Sequence, residues 1–270
     1  MPATEINIRQ LSLQYQNAPE PVFSDLNLQL PAGEWTCLLG SSGCGKTSLL
    51  RRLAGLIEPQ HHCSGEITDQ HGLPLEGQIA YMAQQDLLLP WLKVRDNVCL
   101  QARLSKGKPS VEDYARADQL LAQLGLADSS HLLPDALSGG MRQRVALART
   151  LMQDTPVVLM DEPFSALDAV TRHRLQALAF KALEGRTVLL ITHDPQEALR
   201  LGQHVWLFQQ RQLKAASTPN SPVPRAVDAE LGDYQQRLLT ALKAADEQFS
   251  VESACQESAC QKSAYEGERQ

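Results

Sequence analysis

One glycine-rich segment constrains this chain more than any other feature of its sequence. Residues 40–47 have the sequence Gly-Ser-Ser-Gly-Cys-Gly-Lys-Thr, which fits the phosphate-binding pattern G-x-x-x-x-G-K-S/T. A short apolar stretch at residues 35–39 precedes the segment and predicts a strand, and residues 48–56 have the spacing of a helix. In that setting backbone N–H groups converge on phosphate oxygens, and the positive end of the helix dipole faces the same anion. The segment therefore predicts an α/β protein that binds a nucleotide.

The loop also offers side chains to the nucleotide and to a metal ion. Lys46 adds a positive charge near the β and γ phosphates, and the Thr47 hydroxyl is a ligand for Mg²⁺. The other candidate nucleotide-binding residues in the loop and at the start of the helix are Gly40, Ser41, Ser42, Gly43, Cys44, Gly45 and Ser48.

A second candidate site follows the apolar run at residues 157–160, where two carboxylates, Asp161 and Glu162, stand side by side. This run and the run at residues 188–191 predict buried parallel strands, with a helix over residues 169–183 between them. The first strand would place Asp161 at the carboxyl edge of the sheet, where α/β proteins bind ligands. We expect Asp161 to act on the Mg²⁺ shell and Glu162 to polarise the attacking water.

A third candidate site precedes a predicted helix over residues 141–152. Ser138, Gly139 and Gly140 stand at its start, and a serine with two glycines at a helix N-terminus is suited to an anion. The phosphate loop already provides one anion-binding helix N-terminus. We therefore expect each nucleotide site to be formed by two chains, each of which contributes one of these two segments. An ordinary helix N-cap is the alternative interpretation of this segment.

Taken in chain order, these segments resemble the ATP-binding subunit of an ABC transporter over about residues 5–215. Tyr15 resembles the aromatic residue that stacks on adenine. Gln84 resembles the glutamine of the Q-loop, which contacts Mg²⁺ and the nucleophilic water and faces the membrane subunit. Asp168 ends a segment similar to the D-loop, and His193 resembles the switch histidine that contacts the γ-phosphate.

The resemblance implies ATP and Mg²⁺ as cofactors and a homodimer in the ATP-bound state. Residues 138–143 resemble the family signature. Met141 stands where that signature usually has glutamine, and we expect altered packing there rather than lost activity. The implied catalytic residues are Glu162, His193 and Lys46, and the implied metal ligands are Thr47, Gln84 and Asp161.

The implied fold is a P-loop NTPase core of the α/β class with an antiparallel β subdomain and an inserted helical subdomain. We expect the nucleotide-binding domain at residues 1–215, with the helical subdomain at about 85–150. A linker rich in proline and serine follows at residues 216–224, and the apolar spacing predicts a C-terminal helix within residues 225–249. Residues 250–270 contain a polar near-repeat and are predicted to be a disordered tail.

The resemblance also implies transport. Residues 80–91 are similar to import ATPases for nitrate, taurine, other sulfonates and thiamine pyrimidine precursors, and most similar to the hydroxymethylpyrimidine members. We therefore expect an ATPase that energises import from the cytoplasmic face of the inner membrane. Its expected partners are transmembrane permease subunits and an extracytoplasmic solute-binding protein. The longest uninterrupted apolar run, residues 79–83, has five residues, far short of the roughly 20 of a membrane-spanning helix.

The sequence disfavours two other functions. A soluble ABC ATPase of translation would carry two cassettes, and one acting on DNA would carry a long coiled coil between the phosphate loop and the signature. The chain has neither, and its net charge of −6 does not favour nucleic acid as a partner. A degenerate regulatory cassette is disfavoured because Lys46, Asp161, Glu162 and His193 are all present. The six cysteines lack zinc-ligand spacing and are expected to be reduced.

Overall fold

The computed structural model describes residues 3–41 and 43–243. The strands are β1 (Ile6–Gln14), β2 (Phe23–Leu30), β3 (Trp35–Leu39), β4 (His62–Asp69), β5 (Ile79–Met82), β6 (Val157–Asp161), β7 (Thr187–Thr192), β8 (His204–Gln209) and β9 (Gln212–Ala216). The helices are α1 (Lys46–Leu53), α2 (Val94–Val98), α3 (Leu100–Lys106), α4 (Val111–Gln123), α5 (Gly139–Leu151), α6 (Ala169–Ala182) and α7 (Pro195–Leu201), and residues 229–243 are also helical. Ser42 and the predicted tail lie outside the described residues.

The larger sheet positions most of the candidate residues. Its six strands have the order β5-β6-β7-β3-β8-β9 and are parallel except for β9. Strands β3, β6 and β7 are buried along their whole length, as expected for a parallel sheet covered on both faces. These candidate groups follow neighbouring strands: Gln84 comes after β5, Glu162 after β6, His193 after β7 and the phosphate loop after β3. Their carboxyl ends therefore bring these groups to one edge of the sheet.

The smaller sheet is antiparallel, with the order β2-β1-β4. The apolar side chains of β1 and β2 pack with Leu49 and Leu50 of α1 and with one face of the larger sheet. Buried apolar residues recur along β1 and β2 between more exposed ones, a pattern typical of half-buried strands. Strand β4 was not predicted, because most of its residues are exposed and polar, and backbone pairing with β1 is what defines it.

The helices differ from their predicted bounds at the two glycine-rich segments. Helix α1 begins at Lys46 rather than at residue 48 and ends at Leu53, because Gly45 has a φ of 109° and leads directly into the helix. Helix α5 includes Gly139, since the Ser138 hydroxyl caps it by accepting a hydrogen bond from the Met141 N–H at 3.3 Å. These glycines therefore belong to the first turn of α5.

The chain after β9 packs back onto the larger sheet. The helical residues 229–243 bury Leu231 and Leu238 against the main hydrophobic core. The side chain of Arg225 ties the preceding segment down by donating to the carbonyl oxygens of Leu199, Gly202 and Pro219. Within the described residues, the structure has no helix with the length and apolar character needed to span a membrane.

Candidate active site

The phosphate loop closes around the ammonium group of Lys46. This side chain is only 7% exposed, and its Nζ atom donates to the carbonyl oxygens of Gly40 at 2.8 Å and of Ser41 at 2.7 Å. A Cβ atom on Gly45 would lie 2.6 Å from the side chain of Val22, so only glycine fits at this point of the loop. The loop therefore carries a fixed positive charge at its centre.

A cavity of about 290 Å³ lies beside this loop. Its lining residues are Tyr15, Val22, Gly43, Gly45, Lys46, Thr47, Ser48, Gln84 and Glu162. Every lining residue except Val22 is one that the sequence predicted for nucleotide binding, metal binding or catalysis.

One wall of the cavity is aromatic. The Tyr15 hydroxyl lies 2.9 Å from the Ser48 Oγ atom, which links the end of β1 to the first turn of α1. The ring of His61 meets the Tyr15 ring edge-on, with 4.9 Å between centroids. His61 was not identified from the sequence, since only the pairing of β4 with β1 brings it beside Tyr15.

Asp161 forms the buried end of the site. Its Oδ2 atom accepts a hydrogen bond from the Thr47 hydroxyl at 2.7 Å, and its side chain is 2% exposed. Burial raises the pKa of Asp161, while the hydrogen bond from Thr47 opposes that rise. A hydroxyl beside a carboxylate is the donor set that suits Mg²⁺, so the residues present fit this ion.

The backbone of Glu162 is strained and firmly held. Its φ of 49° lies in the left-handed region, a conformation that costs about 1–3 kcal/mol in a residue other than glycine. The Glu162 N–H donates to the Ile191 carbonyl at 2.9 Å, and its own carbonyl accepts from Gln143 Nε2 at 2.9 Å and from the Ser165 hydroxyl at 3.0 Å. Strand β7, helix α5 and the turn that follows Glu162 therefore hold the backbone from which this carboxylate extends.

Both carboxylate oxygens of Glu162 have partners. The Oε1 atom lies 3.2 Å from Nδ1 of His193, and Oε2 accepts a hydrogen bond from Gln84 Nε2 at 3.2 Å. The carboxylate is mostly buried, whereas the His193 side chain is 59% exposed. The direction of the carboxylate is thus fixed from two neighbouring strands, at the cavity that contains the phosphate loop.

A family model described as ABC transporter matches residues 23–165, which include the phosphate loop, Gln84, Ser138 and Glu162. The chain belongs to the ABC transporter family. It is an ABC ATPase, an ATP-binding protein of the class that hydrolyses ATP.

Relatives match along most of this cassette. An uncharacterized ABC transporter ATP-binding protein of Haemophilus influenzae is 47% identical over 243 residues, which cover 88% of this chain and 98% of the relative. An aliphatic sulfonates import ATP-binding protein of Streptomyces avermitilis is 39% identical over 89% of the chain and 92% of the relative. A taurine import ATP-binding protein of Roseobacter denitrificans is 41% identical over 77% of the chain and 79% of the relative.

Solved structures show the same architecture. The dimeric structure of a bacterial ABC transporter cassette has a TM-score of 0.68 and 28% identity, covering 82% of this chain and 99% of that one. A post-hydrolysis structure of that cassette, bound to ADP and phosphate, matches equally well. The predicted fold class, a P-loop ABC ATPase of the α/β type, is therefore confirmed.

The signature residues of this ABC ATPase do not line the cavity at its own phosphate loop. Ser138 caps α5, with Gly139 and Gly140 in the first turn, and the half-buried Met141 side chain packs against the main core. Asp168 likewise caps α6 by accepting from the Thr171 N–H at 3.0 Å. Hydrogen bonds from this backbone hold the pKa of Asp168 below its usual range.

Two arginines of helix α5 hold the segment after Gln84. Arg142 Nε donates to an Asp86 carboxylate oxygen at 2.9 Å, and Arg149 donates to the carbonyl oxygens of Asp86 at 2.6 Å and Leu87 at 2.8 Å. Arg142 and Gln143 belong to the signature-like segment and Arg149 follows on the same helix, but the sequence did not predict the contacts of these three residues. The signature helix is thus connected both to the Q-loop and to Glu162.

Proposed function

We propose that this chain is the ATP-hydrolysing subunit of a bacterial ABC importer, with Glu162 as the base in hydrolysis. The observation that carries the proposal is the engagement of both Glu162 oxygens, by Gln84 and His193, beside the phosphate loop. A carboxylate with a fixed direction can orient a water for in-line attack and accept its proton.

The nucleotide would be held by residues in and around this cavity. Tyr15 would stack on adenine, while the N–H groups of residues 40–47, together with the Lys46 ammonium, would hold the phosphates. The exposed His193 ring would contact the γ-phosphate and help to stabilise its developing charge.

Mg²⁺ would be held at the buried end of the same cavity. Its ligands would be Thr47, Asp161 and, from the Q-loop, Gln84. The bound ion would neutralise part of the charge on the phosphoryl oxygens. The hydrogen bond between Thr47 and Asp161 supports this assignment, because it holds two oxygen ligands close together.

A second copy of the chain would complete each site. Ser138, Gly139 and Gly140 would contact the γ-phosphate that the partner's phosphate loop holds, with Asp168 at the same interface. The position of the signature outside the cavity supports this arrangement. Similarity to a cassette whose structure is dimeric also supports it.

Permease subunits would dock on the proposed helical subdomain, residues 85–150, at the cytoplasmic face of the inner membrane. Leu87 and Trp91 are 58% and 71% exposed and follow Gln84 closely in the chain, so two large apolar side chains face solvent in the segment after Gln84. Large exposed apolar side chains that cluster are typical of interaction sites. A solute-binding protein would deliver the solute from outside.

The solute would be a small molecule taken up by one of a few related importers. Relatives named for aliphatic sulfonates and taurine support a sulfonate as the solute. The amino-acid sequence of residues 80–91 favours a thiamine pyrimidine precursor. Nitrate is the remaining alternative. The ATP-binding subunit does not contact the solute, so the choice among these solutes rests on sequence similarity to importers of known solute.

Uptake by a deletion strain tests this proposal. Cells that lack the chain would be complemented with the parental gene or with Glu162→Gln and supplied with labelled taurine, an alkanesulfonate, nitrate or hydroxymethylpyrimidine. We expect uptake of one of these solutes to require the parental gene and to be lost with Glu162→Gln. Normal uptake of all four without the gene would contradict the assigned import.

A further inference from the structure

The turn that carries His193 is held by a threonine on one side and an aspartate on the other. Strand β7 ends at Thr192, and Asp194 caps helix α7 by accepting a hydrogen bond from the Gln196 N–H at 2.9 Å. The Thr192 hydroxyl accepts from the Asp194 N–H at 3.0 Å, so one side chain spans the backbone of His193. The same hydroxyl donates to a carboxylate oxygen of Glu197.

Glu197 occupies the position that a glutamate takes in a capping box. It is the third residue of α7, from which a carboxylate ordinarily accepts directly from the N–H of the cap residue. Here the Thr192 hydroxyl lies between the carboxylate and the Asp194 N–H. Glu197 is 5% exposed and does not line the nucleotide cavity, so its contacts are with the turn and with helix α6.

The hydrogen-bond directions in this cluster require an acceptor at residue 197. Arg200 Nη1 donates to Gln176 Oε1 at 2.9 Å, and since arginine can only donate, the amide of Gln176 must turn its NH₂ group toward Glu197. Gln176 Nε2 lies 2.9 Å from Glu197 Oε1. Because the Thr192 hydroxyl already accepts from Asp194, its proton is directed at Glu197 as well. A glutamine at residue 197 would therefore set one NH₂ group against another donor.

The cluster also connects the switch turn to the helix that follows the D-loop. Gln176 lies on α6, whose cap is Asp168. On the same helix, Arg172 lies 3.4 Å from an Asp194 carboxylate oxygen and donates to the Leu167 carbonyl at 3.0 Å. Arg172 of α6 thus reaches Asp194 directly, whereas Gln176 is connected to Thr192 through the carboxylate of Glu197.

We propose that Glu197 is a positioning residue for His193. Through Thr192 it holds the turn in which His193 Nδ1 lies 3.2 Å from Glu162, and it does so without touching nucleotide or water. This inference rests on the proposed role of His193 in hydrolysis. Small displacements of a catalytic group are costly, since about 1 Å can lower a rate about a hundredfold.

Paired substitutions test the positioning. The test variants would be Glu197→Gln and Thr192→Val. Glu184→Gln, the same chemical change at an exposed residue after α6, is the control for the first, and Thr192→Ser, which keeps the hydroxyl, is the control for the second. For Glu197→Gln and Thr192→Val we expect kcat to fall about tenfold or more, with the KM for ATP nearly unchanged. Thr192→Ser should keep most of the parental kcat. ADP affinity and thermal unfolding would be measured to confirm that each variant is folded.

A double-mutant cycle with His193→Ala separates positioning from a general structural role. If Glu197 acts through His193, Glu197→Gln should cause no further loss of kcat in the His193→Ala protein. Losses that multiply, or a parental kcat in folded Glu197→Gln, would overturn the inference while leaving the proposed function in place. A parental kcat in His193→Ala would instead remove the assigned role of His193 and the inference with it.

Discussion

The Glu162 Oε1 atom and His193 Nδ1 are 3.2 Å apart, and each residue directly follows one of two neighbouring parallel strands. Gln84, just after the next strand along, meets the opposite oxygen of the same carboxylate. The strand order β5-β6-β7 therefore brings Gln84, Glu162 and His193 together. Because these three side chains come from separate strands, each can be altered without removing the backbone that holds the others.

Tyr15 should contribute to ATP affinity through its ring rather than its hydroxyl. We expect Tyr15→Ala to raise the Kd for ATP roughly two- to twelvefold, the equivalent of about 0.5–1.5 kcal/mol of aromatic contact. Tyr15→Phe keeps the ring and loses only the contact with Ser48, so its affinity should stay near that of the parent. Fluorescent nucleotide titration measures both, and equal weakening by both substitutions would contradict adenine stacking.

Cys44 should make the ATPase sensitive to thiol reagents. Its sulfur lies 3.6 Å from the Lys46 ammonium, so an adduct would crowd the phosphates. Burial raises the pKa of this thiol, against the opposing charge of Lys46. The reactive thiolate is therefore scarce at neutral pH, and inactivation by a maleimide should accelerate as the pH rises.

The Cys44 prediction has a matched control in the exposed Cys63. Cys44→Ser should resist the maleimide, Cys63→Ser should not, and bound ATP should slow the loss of activity. Mass spectrometry would establish which thiol is modified. Full activity of protein modified at Cys44 would disprove the expected crowding.

Ionisation of Glu197 should lower stability between about pH 5 and 7. Burial raises its pKa to about 7, partly offset by hydrogen bonds from Thr192 and Gln176. The folded chain then binds more protons than the unfolded chain in this range, so the free energy of unfolding falls as pH rises. The full shift corresponds to about 3 kcal/mol.

Urea unfolding across this range would test the effect. Glu197→Gln cannot titrate at this position, so the stability of the parent should decline relative to that variant as pH rises. A constant difference between the two proteins from pH 5 to 8 would show that Glu197 keeps an ordinary pKa in the folded state.

Arg225 should be needed for stability because it fastens the chain after β9. Removing its guanidinium leaves the carbonyl oxygens of three residues without their donor in a buried setting. We expect Arg225→Ala to lower the free energy of unfolding by roughly 2–4 kcal/mol. Arg211→Ala, which removes an exposed pair with Glu20, should cost less than about 1 kcal/mol. Similar losses in the two variants would contradict the fastening role.

Much of the fold and site could be predicted because the chemistry demands particular residues next to particular elements. A phosphate loop needs glycine where φ is positive, as at Gly45, and a lysine after it. The buried strand before Asp161 is recognisable as an uninterrupted apolar run. Ser110 followed three residues later by Asp113 is typical of a helix start, and the Ser110 hydroxyl and the Asp113 carboxylate form a capping box.

Other features depend on contacts between distant segments and leave no local pattern. Strand β4 is polar and exists through its pairing with β1, which in turn places His61 beside Tyr15. Gln143 and Glu197 are ordinary polar residues of helices α5 and α7 until the fold buries them against Glu162 and Thr192. The strained φ of Glu162 also depends on contacts with distant segments, so no local sequence pattern predicts it.

The role of Glu162 as the base is the central claim, and one substitution tests it most directly. Glu162→Gln keeps the shape and the contact with Gln84 available while removing the charge that accepts a proton. Dimerisation would be followed by light scattering in ATP and Mg²⁺, and turnover by phosphate release. We predict a stable ATP-bound dimer with turnover reduced about a hundredfold or more. Hydrolysis at the parental rate by the Glu162→Gln protein would contradict the account.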